Sequence, residues 1–243
     1  VTGPASTDPA STDPASTDRA TRIRYVTADG ARRYAADLRH PVARVITAGE
    51  RRAVRRAVAA AHRRSSGDGG THVAFRDMVW LDVAAGSGKL VDAGLPPRRI
   101  AVDVSAAMLA EDRSGHPAVV GDARALPFAD GAVDVVVVLR LLHRCSDEMV
   151  RAVVAEGLRV ARHGVVISDV RPTPSWRARA RRVLGRSPAP IGRSRSRLTR
   201  LVADSGGLVA ADLPTVPLLS SGRVALITST ESRFRVTKPL LNH

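Results

Sequence analysis

The spacing of apolar positions changes character near residue 70. Over residues 42–64 (VARVITAGERRAVRRAVAAAHRR), Val42, Val45, Ile46, Val54, Ala57, Val58 and Ala61 recur three and four apart, while arginines fill the other side. That period predicts an amphipathic helix, with Gly49 as a point where it divides in two. SSGDGG (65–70) reads as a joint. Beyond it the apolar residues gather in short runs: MVWLDVA (78–84), RIAVDV (99–104), AVVGD (118–122), VDVVVVLRLL (133–142) and GVVISDV (164–170). Near-continuous apolar strands, with helical stretches such as SDEMVRAVVAEGLRVAR (146–162) between them, predict a parallel sheet covered on both faces. After 206 the order changes to two strands, LVAADL and RVALITS, with no helix between them.

The ends read differently. Residues 4–18 repeat PASTD three times without a large apolar side chain, which predicts a disordered tail because nothing offsets the entropy of ordering it. The boundaries follow: a tail over 1–20, an N-terminal helical segment over 21–74, an α/β domain over 75–230 and a second tail over 231–243. The chain of 243 residues has one cysteine, Cys145, so no internal disulfide framework exists, and a reducing compartment fits. No run approaches the roughly 20 apolar residues that span a bilayer, and no leader pattern opens the sequence. These features describe a cytoplasmic protein.

A net charge of +15 raises the question of nucleic acid. Of the 38 basic residues only Lys89 and Lys238 are lysine, an arginine-rich, alanine-rich bias that a GC-rich genome imposes on any of its proteins. Aromatic residues make up 3% of the chain and supply few stacking platforms, so a nucleic-acid partner is not favoured.

The glycine turn in LDVAAGSGKL (81–90) has three possible occupants. A phosphate-cradling P-loop needs a hydroxyl residue after its lysine and a glycine five before the last one; here these positions are Leu90 and Val83. A dinucleotide turn needs glycine at 91, which is Val91. The third occupant is a nucleoside that carries no phosphate. LDVAAGSG, IAVDVSAAML, GDARALPFADGAVDVVVVLRLLH and EGLRVARHGVVISDV, in this order and spacing from about 78 to 230, resemble the class I S-adenosylmethionine-dependent methyltransferases, and more narrowly their methyltransferase-11 branch.

The resemblance implies a doubly wound, mostly parallel seven-stranded sheet of Rossmann-like methyltransferase type with N-terminal helices, and S-adenosylmethionine as cofactor. Asp82, Ala84, Gly86 and Gly88 would wrap its methionine and ribose, Asp103 would accept both ribose hydroxyls, Met108 or Leu109 would pack on the adenine, and Asp122 with the Ala123 amide would read the adenine amino edge. The family usually has glycine where Ala84 stands, and alanine disfavours the positive φ of such a turn. The plainer alternatives are a strand-end cap for Asp103 and an ordinary turn residue for Asp122. No metal is implied. His143, just past the fourth strand, is the candidate general base if the acceptor must lose a proton; a packing histidine is the alternative.

The acceptor is less determined. Leu139–Leu142 lack the Asn/Asp-Pro-Pro-aromatic pattern that accompanies methylation of DNA amines, and Cys145 is not preceded by proline as a cytosine-C5 nucleophile would be. Residues 171–200 carry ten arginines and no acid. Within them SWRARARRVLG (175–185) fits a basic amphipathic helix that could clamp an anion, touch RNA or lie on an acidic membrane; a solvated loop is the plainer reading. A small-molecule acceptor leads, with an RNA or protein methyltransferase and a noncatalytic cofactor-binding scaffold as alternatives. Oligomeric state is unspecified.

Overall fold

The computed structural model describes residues 27, 29–30, 41–65, 73–172, 190–216 and 221–230. The two tails, most of the segment before 41 and the SWRARARRVLG helix lie outside the described residues. Helix α1 (Pro41–Ser65) is followed by β1 (Val79–Val83), β2 (Arg98–Asp103), α2 (Ala106–Ala110), β3 (Ala118–Val120), β4 (Val133–Val138), α3 (Asp147–Val160), β5 (Ala161–Val170), α4 (Arg195–Asp204), β6 (Gly207–Pro214) and β7 (Gly222–Ser229). The seven strands form one sheet in the order β3-β2-β1-β4-β5-β7-β6. Pairing is parallel from β3 through β5, and β7 runs antiparallel to both β5 and β6. The sequence-derived doubly wound, mostly parallel sheet is the one observed.

Burial explains the apolar strands. Val135 and Val137 of β4 pack with Val166 of β5 and Val224 and Leu226 of β7 beneath Ala53, Val54, Ala57, Val58 and Ala61 of α1. Their alternating neighbours, Val136, Val138, Val165, Ile167, Ala225 and Ile227, pack on the other face with Val150, Val153 and Val154 of α3 and Leu198, Leu201 and Val202 of α4. A strand buried on both faces has no polar alternation to show. α1 therefore shares a core with the sheet. Each such valine or leucine taken from water contributes about 1.5–3 kcal/mol before entropy is counted.

Three elements depart from the expectations. α1 is continuous through Gly49, because a Cβ there would lie 2.6 Å from the Thr215 carbonyl oxygen and against the Val216 side chain: the glycine serves a close approach, not a break. The β4 strand stops at Val138 rather than continuing to 142, since Arg140 turns the chain out of the sheet at φ 60°. From Arg195 the arginine-rich segment is helix rather than loop, capped by the Ser194 side chain, which accepts from the Arg197 amide. Leu198, Leu201 and Val202 form its apolar stripe.

The chain order reverses between β1 and β4, whose neighbours lie on opposite sides, and the carboxyl ends of these strands form the crevice where ligands bind in open α/β sheets.

Candidate active site

β1 delivers Asp82 to the crevice, and the chain then makes a tight turn through three left-handed residues, Ala84 (φ 56°), Gly86 (φ 57°) and Gly88 (φ 78°). Ala84 thus adopts the conformation its Cβ disfavours, so the turn keeps the shape that glycine would give it. The Ala85 amide donates to the Val102 carbonyl (3.1 Å), tying the turn to β2.

β2 ends at Asp103, which is largely buried. Its Oδ2 accepts from the Gly86 amide (2.9 Å) and its Oδ1 from the Ser105 amide (2.9 Å). Burial pushes this carboxyl up from its usual range, against the Ser105 and Gly86 amides and the nearby Lys89 charge. Each carboxylate oxygen has lone pairs beyond the one its amide takes. The strand-end cap and the ligand-facing acceptor are thus compatible roles. Ser105 then caps α2, its hydroxyl accepting from the Met108 amide (3.2 Å). Met108 reaches back over the turn: a Cβ on Gly86 would lie 2.9 Å from its Cε.

Asp82 is already partnered. Arg99 of β2 donates through Nε (3.0 Å) and Nη2 (2.7 Å) to its Oδ2, and through Nη1 to Asp112 Oδ2 (2.6 Å) and Ser114 Oγ (3.2 Å). The three charged side chains are at most 5% exposed, which makes this a buried triad rather than a surface pair. Asp112 in turn lies under the turn, where a Cβ on Gly88 would come within 2.6 Å of its Oδ1. Burial pushes the Asp82 carboxyl up despite Arg99.

Asp122 stands farther out, half-buried. Its Oδ1 accepts from the Arg124 amide (2.9 Å) and its Oδ2 from Arg124 Nη2 (2.7 Å), the Asx-type turn that the GD sequence also allowed. Ala123, adjacent to it, packs against the core that includes Val83 and Val102.

The fourth strand supplies the outer wall. The Arg140 amide donates to Ser168 Oγ (2.7 Å), and its guanidinium reaches α1, donating to Glu50 Oε2 (Nε, 2.8 Å) and Thr47 Oγ1 (Nη2, 2.9 Å). Arg51 of the same helix donates to the Lys89 carbonyl (2.7 Å), so α1 is pinned to both the glycine turn and the end of β4. His143 lies in the 3-10 turn Leu142–Arg144, its carbonyl accepting from the Ile191 amide (2.7 Å). Burial, then the charges of Arg144, Arg140, Lys89 and Arg193, push its imidazole down to about 3, so the ring is neutral at physiological pH. Arg193, fully buried, donates to the Leu142 carbonyl (2.8 Å), Asp147 (2.9 Å) and Asp169 (3.3 Å) and fixes this turn from below. Cys145 is buried, with its thiol directed at the Leu141 carbonyl (3.4 Å), a packed thiol rather than a nucleophile.

Asp82, Gly86, Gly88, Asp103 and Met108 therefore meet around one turn. Asp122 and Ala123 lie on the next loop, and His143 on the opposite wall. Arg99, Asp112, Lys89, Glu50 and Arg193 went unread in the sequence. One signal was present: Arg99 shares a strand face with Ala101 and Asp103, and an inward arginine implies a buried carboxylate. Among the described residues no cluster of His, Cys, Asp or Glu could hold a metal ion, and no helix is long and apolar enough to cross a membrane.

Comparison with known proteins agrees with this geometry. Residues 81–168 match the family model described as a methyltransferase domain. A demethylmenaquinone methyltransferase of Beutenbergia cavernae is 38% identical over 105 residues, covering 40% of this chain and 42% of that protein; the chain thus matches less than half of this curated relative's length. Among solved structures, magnesium protoporphyrin IX methyltransferase from Synechocystis PCC 6803 with bound S-adenosylhomocysteine superposes with a TM-score of 0.63 at 16% identity, over 88% of this chain and 100% of that one. The mitomycin 7-O-methyltransferase superposes with a TM-score of 0.51 at 17% identity, over 71% and 54% of the two chains. Residues 81–168 thus match a methyltransferase domain, and the sheet shares the fold of these solved methyltransferases.

Proposed function

We propose that the protein transfers the methyl group of S-adenosylmethionine to a small-molecule acceptor that enters beside His143. The observation that carries this reading is the glycine turn closed on Asp103, whose carboxylate stands at the end of β2 with acceptor capacity beyond the Gly86 and Ser105 amides. A nucleoside without phosphates needs such a turn: close backbone and a carboxylate for two hydroxyls, with no phosphate-binding nest. The small side chains at Ala84, Gly86 and Gly88 would admit the cofactor, Asp103 would hold its ribose, and Met108 would cover its adenine. The partly exposed Asp122–Arg124 pair would share the Asp122 carboxylate with an adenine amino group.

When bound, the sulfonium supplies a methyl group already activated for displacement. The chain's own task is alignment. α1, held to the turn through Arg51 and to the β4 end through Arg140, would close the site from above. We assign His143 the part of a neutral hydrogen-bond acceptor that orients the incoming nucleophile. The four surrounding cations oppose its protonation, so it is a poor store for a proton.

The two similar methyltransferases are named for a magnesium porphyrin and for mitomycin, both small molecules, which supports the same class here. Arg193 supports it as well: it is fully buried and paired with Asp147 and Asp169, so this arginine serves the fold and not a nucleic-acid surface.

The first test is thermal. With S-adenosylhomocysteine at 100 times its dissociation constant, the protein should gain about 2.7 kcal/mol of stability, and Asp103→Ala should lose that gain. An intact protein whose melting point ignores the ligand would sink the cofactor assignment. Transfer of radiolabelled methyl groups to the small-molecule fraction of a cell extract, rather than to its RNA or protein, then tests the acceptor class.

A further inference from the structure

Arg193 belongs to the arginine-rich segment after β5, yet it differs from the other described arginines there. Arg171, Arg195, Arg197 and Arg200 are exposed, whereas Arg193 is fully buried. Its guanidinium spreads over four acceptors. Nη1 donates to the Leu142 carbonyl (2.8 Å) and to Asp169 Oδ1 near the end of β5 (3.3 Å). Nη2 donates to the Cys145 carbonyl, and Nε to Asp147 Oδ1 in the first turn of α3 (2.9 Å). The main chain beside it is held as closely. The Arg193 amide donates to the Val170 carbonyl (2.9 Å), and the Arg193 carbonyl accepts from Arg223 Nη2 of β7 (2.9 Å). Two residues earlier, the Ile191 amide donates to the His143 carbonyl (2.7 Å).

These contacts converge on one short piece of chain. Leu142 and Cys145 bracket His143 and Arg144 in a 3-10 turn, whose own hydrogen bonds are poorer than those of an α-helix. The Cys145 carbonyl precedes the Ser146 cap of α3, so no helical amide is due to reach it. A buried guanidinium paired with carboxylates is weak evidence for stability, because desolvation offsets most of the attraction and an apolar side chain of similar volume often does as well. An apolar side chain cannot donate to both carbonyls that flank His143. The planar fork of arginine serves acceptors in several directions at once, which the single ammonium of lysine does not. We propose that Arg193 is a positioning residue that holds the Leu142–Arg144 turn, so that His143 meets the methyl acceptor in one fixed orientation. The assignment rests on the reading that the acceptor enters beside His143. Arg193 acts through the turn and not by contact with either ligand.

Two variants test it: Arg193→Lys keeps the charge without the fork, and Arg193→Met removes both. The first readout is carbethoxylation by diethylpyrocarbonate, measured at His143 and at His163 in the same chain. His163 lies near the start of β5, at the other end of the strand from Asp169. Release of the turn should speed modification of His143 by at least about tenfold in both variants, with His163 within about twofold of the wild type. Affinity for S-adenosylhomocysteine should stay within about threefold. Turnover of radiolabelled methyl groups onto the small-molecule fraction of a cell extract, at saturating extract, should fall by at least about tenfold through lost alignment. An unchanged His143 rate overturns the assignment. So does a parallel rise at both histidines, which is what general loss of stability produces, and so does a freed His143 with undiminished turnover. Asp147→Asn, at the partly exposed edge of the cluster, should give a smaller rise at His143 alone and serves if both Arg193 variants fail to fold. A wild-type protein that binds S-adenosylhomocysteine but methylates no small molecule sinks the acceptor reading and this assignment with it. The histidine rates separate that failure from a failure of Arg193 to hold the turn.

Discussion

At the scale of single residues, Ala84 separates conformation from composition. Its φ of 56° shows that the turn dictates the backbone and the side chain accepts the strain. A left-handed alanine costs about 1–2 kcal/mol, and glycine would return about 0.5–1 of that through its freer unfolded chain. Ala84→Gly should therefore stabilise the protein by up to about 1 kcal/mol, raising the melting point by about 2–4 °C, with cofactor affinity undiminished. Ala84→Val should do the reverse, because a β-branched side chain fits the left-handed region worst. A lower melting point for the glycine variant would mean that the turn is set by something other than this torsion. The alanine was legible as a departure from the family pattern, but the shape the turn would keep was not, because a propensity describes one residue and the hydrogen bonds from Ala85 and Gly86 to β2 and Asp103 describe the whole loop.

At the scale of elements, strands were easier to read than their joints. Runs such as VDVVVV are apolar because both faces of β4 are covered, and that pattern survives without knowledge of the partners. The helix α4 is obscured by its arginines: Leu198, Leu201 and Val202 keep helical spacing, but the charge density around them is also that of a solvated loop. Gly49 misled for a related reason. Its cause lies in Thr215 and Val216, more than 160 residues away, and no local pattern reports a distant contact. Arg99 is the same lesson inside a strand, and it carries a prediction. Removing it as Arg99→Met leaves Asp82 and Asp112 buried without their shared cation, which should cost about 3–5 kcal/mol in urea unfolding. Adding Asp82→Asn should recover much of that loss, since a neutral amide is cheaper to bury than a carboxylate. A loss under about 1 kcal/mol for the single variant would show that the triad is solvated and not the tie between β1, β2 and the turn after α2.

At the scale of the whole molecule, the distribution of titrating groups sets how stability responds to acid. His143 and His163 both have proton affinities below the ordinary histidine value, through burial first; at His143 the neighbouring arginines and Lys89 add to it, while at His163 Asp134 opposes. A histidine that stays neutral when folded but protonates when unfolded gives full stability above pH about 6.5 and loses it as pH falls, by up to about 1.4 kcal/mol per pH unit for each group. For His143 the loss continues down to its folded value of about 3. Asp82, Asp103 and Asp169 act in the opposite direction, because burial raises their pKa and protonation relieves the buried charge. Asp112 and Asp147, held low by Arg99 and by Arg193 with Arg197 against the effect of burial, and Glu156, held low by Arg159, add their losses only below about pH 4.5. Between pH 7 and 5.5 the histidines therefore act before the depressed carboxylates, and the urea midpoint should fall on acidification. His143→Gln, which keeps a polar side chain but does not titrate, should flatten that slope, since it removes the more strongly lowered of the two such histidines among the described residues. A slope unchanged in the variant would place the acid sensitivity elsewhere and with it remove the electrostatic case for a neutral His143 in the site.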